Sequence, residues 1–369
     1  MLKIKKLKAR QEVYDITVQD NHNFFANDIL VHNCQEINLP TRPLTHVHDE
    51  NGRIALCTLS AINWGNINSL EDMETICDLA VRGLDALIDF QSYPLAAAEI
   101  GNKASRPIGV GIINFAYWLA KNDLTYQHID AAGLAKVHEM IEAQTYFLHK
   151  ASINLAKEVG KCDWYNETKY SQGLLPIDTY KSDVDELCAP VYKMDWESLR
   201  KDLELHGIRN SSLSALMPSE TSAQVGNATN GIEPPRALVS VKQSKDGVLK
   251  QVVPEIRRLK NKYDLLWDQR SPLGYLKICA VLQKFIDQGI SVNTSYNPAF
   301  YEDEQIPLSE LLQHMLFFYK YGGKQLYYFN LNDGAGEMDI NKAMADHAQD
   351  TAMPIDYDDN SCGDGGCVI

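Results

Sequence analysis

The sequence predicts an α/β domain, and two observations carry that reading. Short apolar runs at residues 54–60, 107–113, 211–217, 291–294 and 325–330 have the length and flanks of buried strands. Longer stretches with helical spacing of apolar residues lie between them. Such alternation suits a parallel sheet covered by helices, a barrel included, rather than a bundle or a sandwich.

The first long helix is read from Leu70, Met73, Ile76, Val81, Leu84 and Ile88, which share one helical face. Leu134, Val137, Ile141, Leu148, Leu155 and Val159 give a second, stopped by Gly160. Gly289 and the pair Gly322 and Gly323 are read as the ends of two later helices. From about residue 333 the chain turns polar and rich in Gly and Asp, a flexible tail. At the front, residues 13–18 alternate like a strand, residues 19–22 resemble a turn, and residues 23–26 lead into a short apolar run at 29–31. Two strands and a turn do not fold alone, so this piece must complete another sheet. Three parts result: residues 1–33, 34–332 and 333–369.

Hydrophobic residues make up 45% and charged residues 23%, ordinary globular usage, and no stretch reaches the roughly 18 apolar residues of a membrane span. No apolar signal region follows the basic opening and no dense cysteine framework is present, which favours the cytoplasm. The net charge of −14 argues against a general nucleic-acid binder. Within residues 1–33, Lys3, Lys5, Lys6, Lys8 and Arg10 face Glu12, Asp15, Asp20 and Asp28, leaving 30 basic and 45 acidic residues for the remainder. The leading basic cluster is either a solvated strand or a steering patch for an acidic partner chain.

Several residues have a spacing that suits chemistry. Asn33 can attack its own carbonyl and cut the Asn33–Cys34 bond, His32 can polarise that carbonyl or protonate the departing amine, and Cys34 can accept an acyl group as a thioester. Cys34 and Glu36, two apart on extended chain, can face one substrate; the plainer reading is a structural Cys beside a surface Glu. Cys57 is a redox group or a small core residue. Pro218, Ser219, Glu220, Thr221 and Ser222 lead from a strand into a helix start, forming either a phosphate cradle or a simple cap. Tyr327 and Tyr328 are core residues or a redox pair; on a regular strand they would point to opposite faces, so stacking requires distortion. Cys362 and Cys367 on the Gly-rich tail suit a thiol shuttle, or half a zinc site.

Residues 13–34, VYDITVQDNHNFFANDILVHNC, resemble the last two sequence blocks of inteins. The resemblance implies a short all-β, Hint-type C-terminal fragment, in which Asp15 and His22 support splicing by His32, Asn33 and Cys34. Its N-terminal counterpart then arrives on another polypeptide, as in a split intein. The alternatives are a fragment boundary, or a docking clip through which two halves assemble without covalent joining.

Residues 34–369 resemble the C-terminal half of the class I ribonucleotide reductase large subunit, in CQEINLPTRPL, IALCTLSAINWG, RNSSLSALMPSETSAQ, NATNGIEPPR, QLYYFN and the CxxxxC tail. That implies a ten-stranded α/β barrel, of which this chain supplies the later strands. It also implies reduction of ribonucleoside diphosphates to deoxyribonucleoside diphosphates. Cys34 then corresponds to the thiyl-radical residue, Glu36 to the base at the 3′ hydroxyl, and Cys57 to one of two cysteines oxidised to a disulfide. Tyr327 and Tyr328 correspond to the last steps of a radical relay, and Cys362 and Cys367 to the tail pair that restores the dithiol. Residues 218–222 would hold the diphosphate.

The implied partners are the N-terminal half, a metal-containing small subunit that supplies the radical, and thioredoxin or glutaredoxin, with no cofactor or metal bound directly by this chain. The implied setting is the cytoplasm of a bacterial or phage-infected bacterial cell. One departure matters: the family places an Asn two residues before the radical cysteine, where this chain has His32. Glycyl-radical relatives fit less well, since they carry a glycine-radical loop where this chain has the tyrosine pair and dithiol tail.

Overall fold

A computed structural model describes residues 36–332, except Pro190 and residues 245–246, together with strands at residues 23–26 and 29–32. In chain order the elements are β1 (Asn23–Ala26), β2 (Ile29–His32), β3 (Thr58–Asn63), α1 (Leu70–Phe90), α2 (Ala96–Ser105), β4 (Ile108–Ile113), α3 (Phe115–Lys121) and α4 (Ala131–Val159). There follow α5 (Pro176–Thr179), α6 (Trp196–His206), α7 (Glu220–Val225), β5 (Val239–Ser244), β6 (Gly247–Val252), α8 (Ile256–Leu259), α9 (Leu273–Gln283), β7 (Thr294–Tyr296), α10 (Leu308–Lys320) and β8 (Phe329–Leu331).

Five extended segments stand side by side in sequence order, all parallel. β3 pairs with β4 from Thr58↔Ile108 to Asn63↔Ile113, and β7 pairs with β8 from Thr294↔Phe329 to Tyr296↔Leu331. Between them, residues 211–217 connect to both sides through parallel bridges at Val110↔Ser214 and Leu216↔Ile290. The expected strand at 211–217 is thus extended but not a regular ladder. Asp287 explains this: its carboxylate accepts from the amides of Leu213 and Ser214 at 2.7 and 2.9 Å, taking donors a ladder would use.

The two long helices fall where the spacing placed them. Ser69 starts α1 by accepting the Asp72 amide at 3.0 Å, and Asp130 starts α4 by accepting that of Gly133 at 2.8 Å. They pack against each other, and Met73, Cys77, Val81, Leu84 and Ile88 on α1 and Leu134, Val137, Ile141, Leu148 and Leu155 on α4 are all buried. Leu70 and Ile76, expected on the inner face of α1, are exposed; Cys77 occupies that face instead. Val159 is likewise exposed, next to Gly160, whose φ of 89° ends α4.

Other expectations shift. The strand read at 54–60 begins at Thr58 and runs to Asn63. Gly322 follows α10 with a φ of 88°, as a stop signal should, but α9 ends at Gln283, well before Gly289. Residues 23–26, read as a connector, pair antiparallel with β2 in full register from Asn23↔His32 to Ala26↔Ile29. The β5–β6 hairpin was not anticipated, although its two runs are separated by only two residues. The strand read at 13–18 and the tail from 333 lie outside the described residues. Among the described residues, no helix is long and apolar enough to cross a membrane.

Candidate active site

Gly109 and Gly111 on β4 leave room for chain on one face of the sheet. A side chain at Gly109 would meet Ile37 at 2.9 Å, Leu59 at 2.7 Å and Ala215 at 3.2 Å; one at Gly111 would meet Met217 at 2.7 Å. The segment that follows Cys34 therefore lies against the sheet, with Ile37 over Gly109. Two contacts fix it at the other side: the Gly289 amide donates to the Glu36 carbonyl at 2.5 Å, and the Asn38 amide donates to Gln288 Oε1 at 2.9 Å.

Glu36 is completely buried. Its Oε2 accepts from the Ser291 hydroxyl at 2.5 Å, and its Oε1 has no protein donor among the described residues. A buried carboxylate with one unsatisfied oxygen is costly unless something else comes to bind there. Cys57 precedes β3. The residue is exposed, yet the protein packed round its thiol, and then the Glu36 carboxylate, push it up to about 11. The Glu36 charge is thus felt at the Cys57 thiol, which is held protonated.

A second cluster lies further along the same strands. Tyr327 and Tyr328 sit in irregular chain just before β8, their ring centroids 4.0 Å apart and the Tyr328 hydroxyl donating to that of Tyr327 at 3.0 Å. The distortion that stacking requires is therefore present. Its backbone cause is visible: the Tyr327 amide donates to the Val292 carbonyl at 2.8 Å, and the next amide, of Tyr328, donates to Asn293 Oδ1 at 3.1 Å. Two consecutive amides turned toward one neighbour break the alternation of a strand and bring both side chains together.

Asn293 reaches further. Its Nδ2 donates to Glu233 Oε1 at 2.5 Å, and Glu233 Oε2 accepts from Asn230 Nδ2 at 3.4 Å. Asn230 Oδ1 in turn accepts the Ser219 amide at 3.0 Å. Burial holds the Glu233 carboxyl above the ordinary range. At the turn, the Ser219 hydroxyl donates to the Met217 carbonyl at 3.1 Å and that of Ser222 to the Ser219 carbonyl at 3.4 Å, so neither forms the expected helix cap. Pro218, Ser219 and Glu220 enter a helix of only six residues.

Residues 13–329 match the family described as "Ribonucleotide reductase, barrel domain". The chain belongs to that family. It is similar to the ribonucleoside-diphosphate reductase subunit alpha of Haemophilus influenzae, 53% identical over 336 residues that cover 91% of this chain and 42% of the relative. The ribonucleoside-diphosphate reductase 1 subunit alpha of Escherichia coli is 52% identical over the same shares. The ribonucleoside-diphosphate reductase subunit alpha of phage T4 is 45% identical over 83% of this chain and 40% of its own length. This reductase barrel chain thus spans about two fifths of the curated relatives it matches.

Of the residues singled out from the sequence, Glu36 lies within electrostatic reach of the Cys57 thiol, and Tyr327 and Tyr328 are in direct contact. Asp15, His22, Asn33, Cys34, Cys362 and Cys367 lie outside the described residues, as do the side chains of His32 and Thr221. Sequence reading missed Ser291, Asn293 and Glu233 as site residues. Glu233 stands within the NATNGIEPPR motif that carried the resemblance, whereas Ser291 and Asn293 gave no signal beyond membership of a strand.

Proposed function

We propose that this chain is the C-terminal precursor half of a ribonucleotide reductase large subunit, activated when trans-splicing removes residues 1–33 and joins Cys34 to an N-terminal half. Asp15, His22, His32, Asn33 and Cys34 carry out the splicing. The β1–β2 hairpin, ending at His32, supports a strand-completing role for this piece. The 336 residues aligned with the Haemophilus influenzae relative equal in number the stretch from Cys34 to Ile369, whereas the family match begins at residue 13.

The joined enzyme then reduces ribonucleoside diphosphates. The observation that carries this reading is the buried Glu36 carboxylate, held by Ser291, with one oxygen left for a substrate hydroxyl and its charge felt at the protonated Cys57 thiol. Cys34 as a thiyl radical removes the 3′ hydrogen while Glu36 takes the 3′ hydroxyl proton. The 2′ hydroxyl leaves as water, and Cys57 and a cysteine of the N-terminal half are oxidised to a disulfide. Cys362 and Cys367 reduce that disulfide and are themselves recharged by thioredoxin or glutaredoxin. Residues 218–222 receive the diphosphate, and Tyr327 and Tyr328 pass the radical from a metal-containing small subunit to Cys34.

Co-expression with the N-terminal half, followed by intact-mass measurement and a nucleotide-reduction assay, tests both steps. A ligated subunit that reduces nucleoside diphosphates with the small subunit present supports the proposal, and Asn33→Ala should block release of residues 1–33. Reductase activity from two unligated halves would replace splicing by non-covalent assembly. A ligated subunit without activity would remove the reductase reading.

A further inference from the structure

Resting on the relay reading of the tyrosine pair, we infer that Asn293 is a positioning residue for radical transfer, holding Tyr327 and Tyr328 side by side and tying them to the turn at Ser219. A regular parallel partner of β7 would place successive side chains on opposite faces. Here the second of two consecutive amides needs an acceptor that the neighbouring backbone does not provide, and Asn293 Oδ1 provides it at 3.1 Å. The ladder resumes at once, with the Thr294 amide donating to the Tyr328 carbonyl at 2.9 Å. The irregularity is thus confined to the tyrosines, and the Asn293 side chain fills it.

The other end of the same amide fixes its orientation. Asn293 Nδ2 donates to Glu233 at 2.5 Å, so the oxygen must face Tyr328. Glu233 and Asn230 continue the chain of hydrogen bonds to the Ser219 amide, on the turn that the proposed function assigns to the diphosphate. A shift of that turn is therefore passed to the backbone under the phenols, whose mutual hydrogen bond of 3.0 Å is the contact a proton would follow. Asn293 acts on the relay through the Tyr328 backbone amide and Glu233, by geometry.

The test uses the ligated large subunit with its radical-generating partner. Asn293→Ala is expected to lower kcat roughly 10- to 100-fold, the effect of displacing reacting groups by a fraction of an ångström to an ångström, with KM little changed and the thermal midpoint lowered by the loss of its hydrogen bonds to Glu233 and the Tyr328 amide. Asn293→Asp keeps the acceptor for Tyr328 but sets a carboxylate against Glu233, and is expected to lose activity as well. Combining it with Glu233→Gln restores donor against acceptor and should recover most of kcat. This rescue separates positioning from loss of fold.

Three outcomes would overturn the inference: Asn293→Ala within about twofold of the parent, a rise in KM that accounts for the loss, or a double variant no better than Asn293→Asp. Tyr328→Phe serves as the reference. If it turns over normally, the relay reading is wrong and this inference falls with it; if it is dead while Asn293→Ala is active, only the positioning role is lost.

Discussion

The Ser291 hydroxyl donates to Glu36 Oε2 at 2.5 Å, the single protein hydrogen bond among the described residues to a carboxylate group that is completely buried. Ser291→Ala leaves both oxygens without a protein donor among the described residues and should cost about 1–3 kcal/mol. Glu36→Gln retains an acceptor for Ser291, so the thermal midpoint should hardly move while turnover of the joined enzyme falls roughly 10²- to 10⁴-fold. Normal turnover by Glu36→Gln would show that the carboxylate is structural.

Gly289 sets how closely Glu36 approaches the sheet. A Cβ there would lie 3.0 Å from the Glu36 carbonyl oxygen and 3.0 Å from Gln325 Nε2. Gly289→Ala must push one of them aside, and a loss of kcat up to about tenfold is expected in steady-state assays. Gly83→Ala is the matched control: nothing lies within 4 Å of its Cβ, and removing a glycine from the middle of α1 should add about 0.5–1 kcal/mol of stability.

Cys57 should be a slow nucleophile at neutral pH, because burial first and Glu36 second hold its thiol at about 11. Peptide-level mass spectrometry after timed iodoacetamide treatment should show its labelling rate rising about tenfold per pH unit up to that value. Removing the negative charge in Glu36→Gln lowers the thiol pKa, so labelling at pH 8 should accelerate. An unchanged rate would mean that the two side chains do not sense each other.

His138 predicts an acid-sensitive core. Burial, then the Lys284 charge, hold its imidazole down at about 4, and its Nε2 lacks a protein partner among the described residues. In the unfolded chain the ring gains its proton near pH 6.5. Because the folded pKa is the lower one, the unfolded state binds more protons between these values. Stability should therefore fall as pH drops from about 6.5 to about 4, by on the order of 1 kcal/mol per pH unit. Denaturant midpoints across that window should flatten in His138→Phe, which keeps the edge-on contact with Phe285.

Much of the layout could be read from residue order. The α1 and α4 stripes, the buried run of β4 and the stop at Gly160 follow from periodicity, because each is decided by neighbours within a few residues. What escaped reading was decided by distant ones. Residues 211–217 look like any buried strand, and only Asp287, far along the chain, interrupts their ladder. Glu36 and Cys57 carried chemical meaning by type and motif. Ser291 and Asn293 did not, since a serine and an asparagine near a strand start say nothing until their partners are known.

The bond between Glu36 and Ser291 closes a loop of 255 residues, and the one between Asn38 and Gln288 a loop of 250. Contacts of such separation form late, because the entropy of closing the intervening chain is recovered only once the strands between them are in place. The carboxylate is consequently seated after the domain is built rather than before. In refolding, helical signal should return ahead of catalytic competence, and a chain that has not yet emerged past residue 291 holds its glutamate without the serine that orients it.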